Sequence, residues 1–294
     1  MPELPELQAH AERLSRDWGG RVLVSFRPIA FTALKTFAPP PEQAVGQALV
    51  QVGRRGKYLL IDFGTTTFVV HLMQGGRLKP DEKQSAKPRG GLARWVFESL
   101  DGGGPAVGAP VGPDALLLTE AGTEKRAGVW VREGTRAELE AQDPLAGLGP
   151  DADTLDAAGL ASICAAHSMR LHGLLRDQRA LAGVGRRLAN EICHRAKLSP
   201  FANASKLDAT EVAALAAALH SCIDESLTYE RGRDDMSASK DRPGEVHHRA
   251  GETCPVCGDV VREVEYSRYT VNYCATCQTG GKVLADNTTS KFLK

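Results

Sequence analysis

Two cysteine pairs near the C-terminus, Cys254-x2-Cys257 and Cys274-x2-Cys277, constrain what this chain can fold into more than any other feature. Each CxxC is a knuckle that can point two thiolates at one metal ion. The 16 residues between the pairs carry strand-like runs at Val260–Val264 and Tyr269–Tyr273, enough for a β-hairpin. Four thiolates close a tetrahedral shell and leave no open position, so the pattern predicts one structural Zn2+ and not a catalytic metal. A redox dithiol is the weaker reading, because one pair suffices for redox chemistry and here there are two. His247 and His248 stand close enough in sequence to compete as ligands. The thiolates suffice without them, and the pair reads as surface or phosphate-facing.

The remaining cysteines, Cys164, Cys193 and Cys222, are scattered through helical segments and read as buried free thiols, not as a disulfide framework. At 294 residues the chain has length for two domains with separate cores. No apolar run approaches the roughly 20 residues that span a bilayer. No basic start followed by an apolar stretch marks a signal peptide, so the expected location is the cytoplasm. The formal net charge is zero, which argues against a nucleic-acid partner. The distribution argues the other way. Arg170, Arg176, Arg179, Arg186, Arg187, Arg195 and Lys197 fall within one helical stretch, opposed only by Asp177 and Glu191. A local basic face binds phosphates even when acids elsewhere cancel the total. A solvated helix surface explains the same charges equally well.

Residues 3–18 place Leu4, Leu7, Ala11 and Leu14 on one helical stripe. Short apolar runs then recur at Arg21–Phe26, Leu49–Val52, Tyr58–Phe63, Phe68–Leu72, Leu92–Phe97, Ala115–Thr119 and Gly128–Val131, separated by Gly, Pro and Asp. They predict the strands of a β-sandwich. The stretch around 101–113 reads as a loop, and Asp143-Pro144 with Gly149-Pro150 marks a domain boundary. Helical patterns follow at 155–166, 171–181, 186–197 and 208–227, the last opened by Asp208-Ala209-Thr210-Glu211. Residues 229–245 are polar and charged and read as a mobile loop.

The chain opens Pro2-Glu3-Leu4-Pro5-Glu6. A small residue at position 2 allows the initiator Met to be removed, leaving a free secondary amine beside a carboxylate. Taken alone, this is an ordinary proline-containing helix start.

With the zinc hairpin, these features resemble the formamidopyrimidine-DNA glycosylase / endonuclease VIII family of base-excision repair enzymes. The similarity includes PELPEL, Arg54-Arg55-Gly56-Lys57-Tyr58-Leu59-Leu60, His71-Leu72, Asp177-Gln178, Leu181-Ala182-Gly183-Val184-Gly185, Asn190-Glu191, Pro200 and Cys277-Gln278, in the family's order. It implies an α+β multi-domain fold: an N-terminal β-sandwich over 1–140, a helix-two-turn-helix domain over 155–228, a zinc finger over 246–280 and a tail over 281–294. DNA would lie in the cleft between domains. By the same resemblance Pro2 is the nucleophile that attacks C1′, Glu3 the general acid, and Glu6 a support of the active site. Lys57 contacts lesion and phosphate, and His71 contacts phosphate. Gly185 offers backbone amides at a helix N-terminus to a phosphate, and Arg268 on the zinc hairpin clasps phosphates flanking the flipped nucleotide. The implied partner is double-stranded DNA with a damaged base or AP site, bound by a monomer with no membrane contact.

Several positions depart from the family pattern. Arg186 stands after Gly185 where Asn is usual. Gln74, with Met73 beside it, takes the place of the usual void-filling Met, and Lys125 stands where Arg is usual. Ala127 replaces an aromatic wedge common in the 8-oxoguanine-excising branch, Arg268 sits one residue farther from Cys274 than usual, and 229–245 is shorter than that branch's lesion-capping region. The catalytic end is intact while the lesion-reading end is altered. The expected activity is therefore a DNA glycosylase with AP-lyase activity and β,δ-elimination, acting on oxidised purines or pyrimidines, with bulky or cross-linked bases also in range. Two rivals remain: a catalytically weak damaged-DNA-binding protein, which has no need of Pro2, Glu3 and Lys57, and an RNA- or ribosome-associated zinc protein, which leaves the N-terminal half unexplained.

Overall fold

The computed structural model describes residues 1–99, 114–237, 241–266 and 269–284. They cluster into two units, Met1–Pro2 with Leu7–Gly147, and Glu3–Glu6 with Leu148–Lys294. The α+β plan expected from the sequence is the one observed.

Helix α1 (Leu4–Trp18) buries its predicted stripe of Leu4, Leu7, Ala11 and Leu14. Pro5 sits in its first turn, where no intrahelical N–H is needed. Eight strands follow in the first unit: β1 (Leu23–Pro28), β2 (Gln51–Arg55), β3 (Tyr58–Asp62), β4 (Thr66–His71), β5 (Gly76–Pro80), β6 (Gly91–Phe97), β7 (Ala115–Glu120) and β8 (Gly128–Glu133). They form two antiparallel four-stranded sheets, ordered β1-β6-β7-β5 and β2-β3-β4-β8. Phe26 and Trp95 from one sheet meet Phe68 from the other, with ring centroids 5.0 Å (Phe26–Phe68), 5.0 Å (Phe26–Trp95) and 5.7 Å (Phe68–Trp95) apart. Burying each such side chain contributes about 1.5–3 kcal/mol.

Strand β5 lies outside the predicted runs. Arg77 and Lys79 dilute its apolar content, but alternation still buries Gly76 and Leu78 against β7. Strand β2 runs past the predicted Val52 to Arg55, because a ladder needs only backbone groups and Arg54 and Arg55 pair with Leu59 and Tyr58. Gly56, at φ 54°, makes the left-handed turn that closes this hairpin. A short helix α2 (Arg136–Glu140), opened by a Thr135–Glu138 capping box, lies just before the segment read as boundary.

The second unit holds α3 (Ala157–Ala166), α4 (Leu171–Arg176), α5 (Arg186–Arg195) and α6 (Ala209–Arg231) around Leu171, Leu174, Leu188, Ile192, Leu215 and Leu219. The helix start predicted at Asp208–Glu211 is present as a capping box, the Glu211 N–H donating to Asp208 Oδ1 at 2.8 Å. Helix α4 stops at Arg176 although the apolar pattern runs to 181. Gln178 takes over there: its amide donates to the carbonyls of Arg176 and Val184, each at 2.9 Å, and accepts the Gly183 N–H at 3.0 Å. Helix α6 continues through Arg231, so the segment read as a mobile loop from 229 begins as helix. Strands β9 (Val261–Tyr266) and β10 (Tyr269–Cys274) form the expected hairpin, followed by a short helix α7 (Ala275–Thr279). Cys164, Cys193 and Cys222 are buried free thiols, and burial pushes Cys222 up to about 12.

Candidate functional site

In the first unit the β3–β4 register sets Tyr58 opposite His71, and the β4–β8 register sets His71 opposite Gly128. Lys57 occupies the turn just before Tyr58. The Tyr58 and His71 rings lie 4.7 Å apart, and the Met73 N–H donates to His71 Nδ1 at 3.1 Å. That bond leaves Nε2 to carry the proton of the neutral ring. Burial first, then the Lys57 ammonium and the chain's N-terminal amine, push His71 down to about 4. His71 is therefore a neutral donor at pH 7, and the N-terminal amine, Lys57 and His71 share one electrostatic neighbourhood.

Glu3 and Glu6 cluster with the second unit. Both oxygens of Glu3 accept backbone N–H groups from the first turn of α5, from Arg187 and Leu188, each at 3.0 Å. A helix N-terminus presents unpaired N–H groups and a partial positive charge, so it suits a carboxylate. Gly185 is required beside it, since a Cβ there would lie 2.2 Å from Glu3 Oε1. The backbone carbonyl of Gly183, a residue at φ 103°, accepts the Leu4 N–H at 3.0 Å. The Arg187 and Leu188 amides of this helix end thus serve Glu3. Glu6 Oε2 accepts the N–H of Glu3 at 3.0 Å. Glu6 is buried, and desolvation raises its pKa while Arg242 opposes the rise.

The Arg186 side chain has no hydrogen-bond or ion-pair partner among the described residues, and the residue is half-buried. It adds its charge to Arg176 and His172, and burial with these cations pushes His172 down to about 3. Arg176 lies over the Tyr269 ring at 4.1 Å, Tyr269 stacks on Tyr266 at 4.8 Å, and the Tyr266 hydroxyl accepts from Arg170 at 2.5 Å. Interleaved arginines and aromatic rings of this kind suit a nucleic-acid backbone and its bases. Arg268 lies outside the described residues. Gln74 is exposed in the turn after Met73. Lys125 is not extended outward: its ammonium donates to the Glu120 carbonyl. Ala127 is buried, and the Glu120 carboxylate accepts the N–H groups of Arg126 and Ala127 at 2.6 and 2.8 Å.

Ligand atoms of His194, Cys254, Cys274 and Cys277 lie within 4.8 Å of one another. Cys257 adds a sulfur 3.3 Å from Cys274, and the Cys254 and Cys277 sulfurs are 3.9 Å apart. Zn–S bonds of about 2.3 Å in a tetrahedron separate sulfurs by about 3.8 Å, so the donor set fits a structural metal. The sequence pattern names only cysteines. The structure adds His194, whose Nε2 is 3.3 Å from Cys254 Sγ and whose Nδ1 is 2.7 Å from Glu245 Oε2. His247 is engaged elsewhere, with Nδ1 2.9 Å from Asn190 Nδ2.

Family models match twice: the formamidopyrimidine-DNA glycosylase N-terminal domain over residues 1–104 and the H2TH domain of the same glycosylase over residues 146–237. A formamidopyrimidine-DNA glycosylase of Thiobacillus denitrificans is 30% identical over 290 residues, covering 95% of this chain and 100% of that protein. The chain belongs to the formamidopyrimidine-DNA glycosylase family. Among solved structures, the MutM (Fpg) protein of Thermus thermophilus aligns with a TM-score of 0.76 at 26% identity, over 96% of this chain and 100% of that one. The Lactococcus lactis enzyme, bound non-covalently to DNA containing an AP site, aligns with a TM-score of 0.77 at 16% identity, over 94% of this chain and 99% of that one. Membership in the formamidopyrimidine-DNA glycosylase family makes this chain an enzyme of the DNA glycosylase class acting on damaged DNA. No helix among the described residues is long and apolar enough to cross a membrane. Arg242, His194 and the arginine–tyrosine stack escaped the sequence. Only the basic stretch from Arg170 hinted at the last of them.

Proposed function

We propose that this glycosylase is bifunctional, excising the damaged base through a Schiff base at Pro2 and cleaving the strand by β,δ-elimination. The observation that carries the reading is the shared neighbourhood of the N-terminal amine, Lys57 and His71. Removal of Met1 would transfer the free amine to Pro2. A cation beside an amine disfavours its protonation, which keeps the nitrogen lone pair available. That lone pair forms a bond to C1′ as the glycosidic bond breaks and its electrons leave with the base, which takes up a proton. The sugar ring then opens and the iminium forms. Loss of a C2′ proton expels the 3′ phosphate, and a second elimination expels the 5′ phosphate. Glu3 is oriented by α5 and retains lone-pair sites beyond the two that accept N–H bonds, so it can carry the proton for the leaving base or O4′. Attack at C1′ requires the nucleotide to be flipped out of the duplex.

Lys57, His71, Gly185, Arg186, Gln74, Lys125 and Arg268 are read as the phosphate- and duplex-contacting set. Lys125 would have to leave the Glu120 carbonyl to serve. The substrate is an oxidised purine or pyrimidine. The buried Ala127, which supplies no wedge, extends the range to bulkier bases. One Zn2+ is held by Cys254, Cys257, Cys274 and Cys277, with His194 beside Cys254, and it has a structural role only. The protein acts as a monomer in the cytoplasm, in three parts bounded near 140–155 and 228–246.

Borohydride reduction on AP-site duplex tests the chemistry. The reduced adduct should map to Pro2, and a non-removable N-terminal extension should abolish it. An adduct that persists on Lys57 in the extended protein overturns the assignment. Native protein should contain one zinc per chain. Cys274→Ser should release it and weaken duplex binding, and zinc-free native protein would refute the metal reading.

A further inference from the structure

Arg242 lies between α6 and the zinc hairpin, and its side chain is 4% exposed. Its Nη1 forms an ion pair with Glu6 Oε1 at 2.9 Å and lies 3.8 Å from Glu230 Oε1, while neither Nη1 nor Nη2 makes a hydrogen bond among the described residues. Glu230 is fully buried at the end of α6 and accepts the Ser237 N–H at 3.2 Å as well as the Ser237 hydroxyl. The backbone that delivers the guanidinium is clamped onto α5. Arg187 donates to the carbonyls of Arg242 and, at 2.6 Å, Pro243. Glu191 accepts the N–H groups of Glu245, Val246 and His247 at 2.8, 3.2 and 2.8 Å.

Glu6, the other end of this ion pair, accepts the Glu3 N–H. That N–H belongs to the peptide joining Pro2 to Glu3, so the Glu6 carboxylate holds the plane of the peptide to which the Pro2 ring is attached. We propose that Arg242 is a positioning residue of the glycosylase: it keeps Glu6 an acceptor for the Glu3 N–H and thereby fixes the direction of the N-terminal amine. The proposal rests on Pro2 as nucleophile.

The electrostatics agree with the geometry. Burial, Glu3 and Glu230 all favour protonation of Glu6, and Arg242 opposes them. Arg187 on α5 is a second cation that interacts with Glu6. A protonated Glu6 gains an O–H donor and becomes a weaker acceptor for the peptide N–H. The pair spans 236 positions of sequence (242 − 6), so no local pattern reveals it. A cavity of about 440 Å³ adjoins Arg242, so truncation to Ala would enlarge it, and side chains of similar length make the better test.

The experiment is the rate of borohydride trapping on AP-site duplex across pH for wild type, Arg242→Gln, Arg242→Lys and Glu230→Gln, with folding checked by circular dichroism. Removing the cation should move the acid limb of Arg242→Gln to higher pH by about one to three units, with the rate recovering toward wild type at alkaline pH. Arg242→Lys should restore the wild-type profile. Glu230→Gln removes a carboxylate that favours Glu6 protonation, so its acid limb should move to lower pH. If Arg242→Gln does not fold, Glu230→Gln carries the test. Unchanged profiles, or equal losses at every pH, overturn the proposal. A wild type that traps nothing at any pH fails on Pro2 instead, and the two failures are thus distinct.

Discussion

Around the N-terminal amine the first unit gathers positive charge, with Lys57 close enough to help push His71 down to about 4. Around Glu3, Glu6 and Glu230 the second unit gathers buried carboxylates, stabilised by α5 amides, Arg242 and Ser237. The two environments begin at adjacent residues, Pro2 and Glu3. An amine in the nucleophilic role proposed for Pro2 needs neighbours that discourage its protonation, whereas a buried carboxylate needs donors that satisfy it. Assigning the two needs to different units lets each be met without compromising the other.

The strongest way to break this comparison is Gly185→Ala. Its Cβ would stand 2.2 Å from Glu3 Oε1 and displace the carboxylate from α5. Base excision in single turnover should fall about 10²-fold or more, while trapping on a preformed AP site, which has no base to expel, should fall far less. Equal losses in both assays would mean that the amine and acid environments do not work separately.

Lys57→Met sharpens the other side. Without the ammonium, the His71 titration measured by NMR should rise from about 4 yet stay below its ordinary 6.5, because burial is the larger cause and persists. The depressed value favours the fold above pH 6.5 and that contribution is lost as pH falls toward 4, so the variant should lose stability over a narrower acid range. An unmoved titration would show that Lys57 does not act on this site.

The smallest effect belongs to Arg186→Ala. A phosphate contact at this arginine predicts weaker binding to all duplexes alike and a salt slope lower by about one unit. Single-turnover excision at saturating enzyme should be preserved. A change in lesion preference without loss of affinity would show that Arg186 reads bases.

Local patterns in the sequence already determined much of the molecule. Short apolar runs located seven of the eight described strands of the sandwich, and β5 escaped because Arg77 and Lys79 interrupt the apolar signal while its backbone still pairs with β7. The Asp208–Glu211 box opened α6, and the spacing of the two CxxC pairs brought their sulfurs together. Such signals are legible because a helix, strand or knuckle repeats over a few residues, and its periodicity is written in those residues alone. Tertiary packing decided the partners of the buried charges. It set Glu3 on amides 184 and 185 positions away, Arg242 on Glu6, and His194 beside Cys254 across 60 positions. It also turned Lys125 inward onto the Glu120 carbonyl. A buried polar group must find a partner wherever the packed elements present one, and that choice depends on which elements meet, which no local period records.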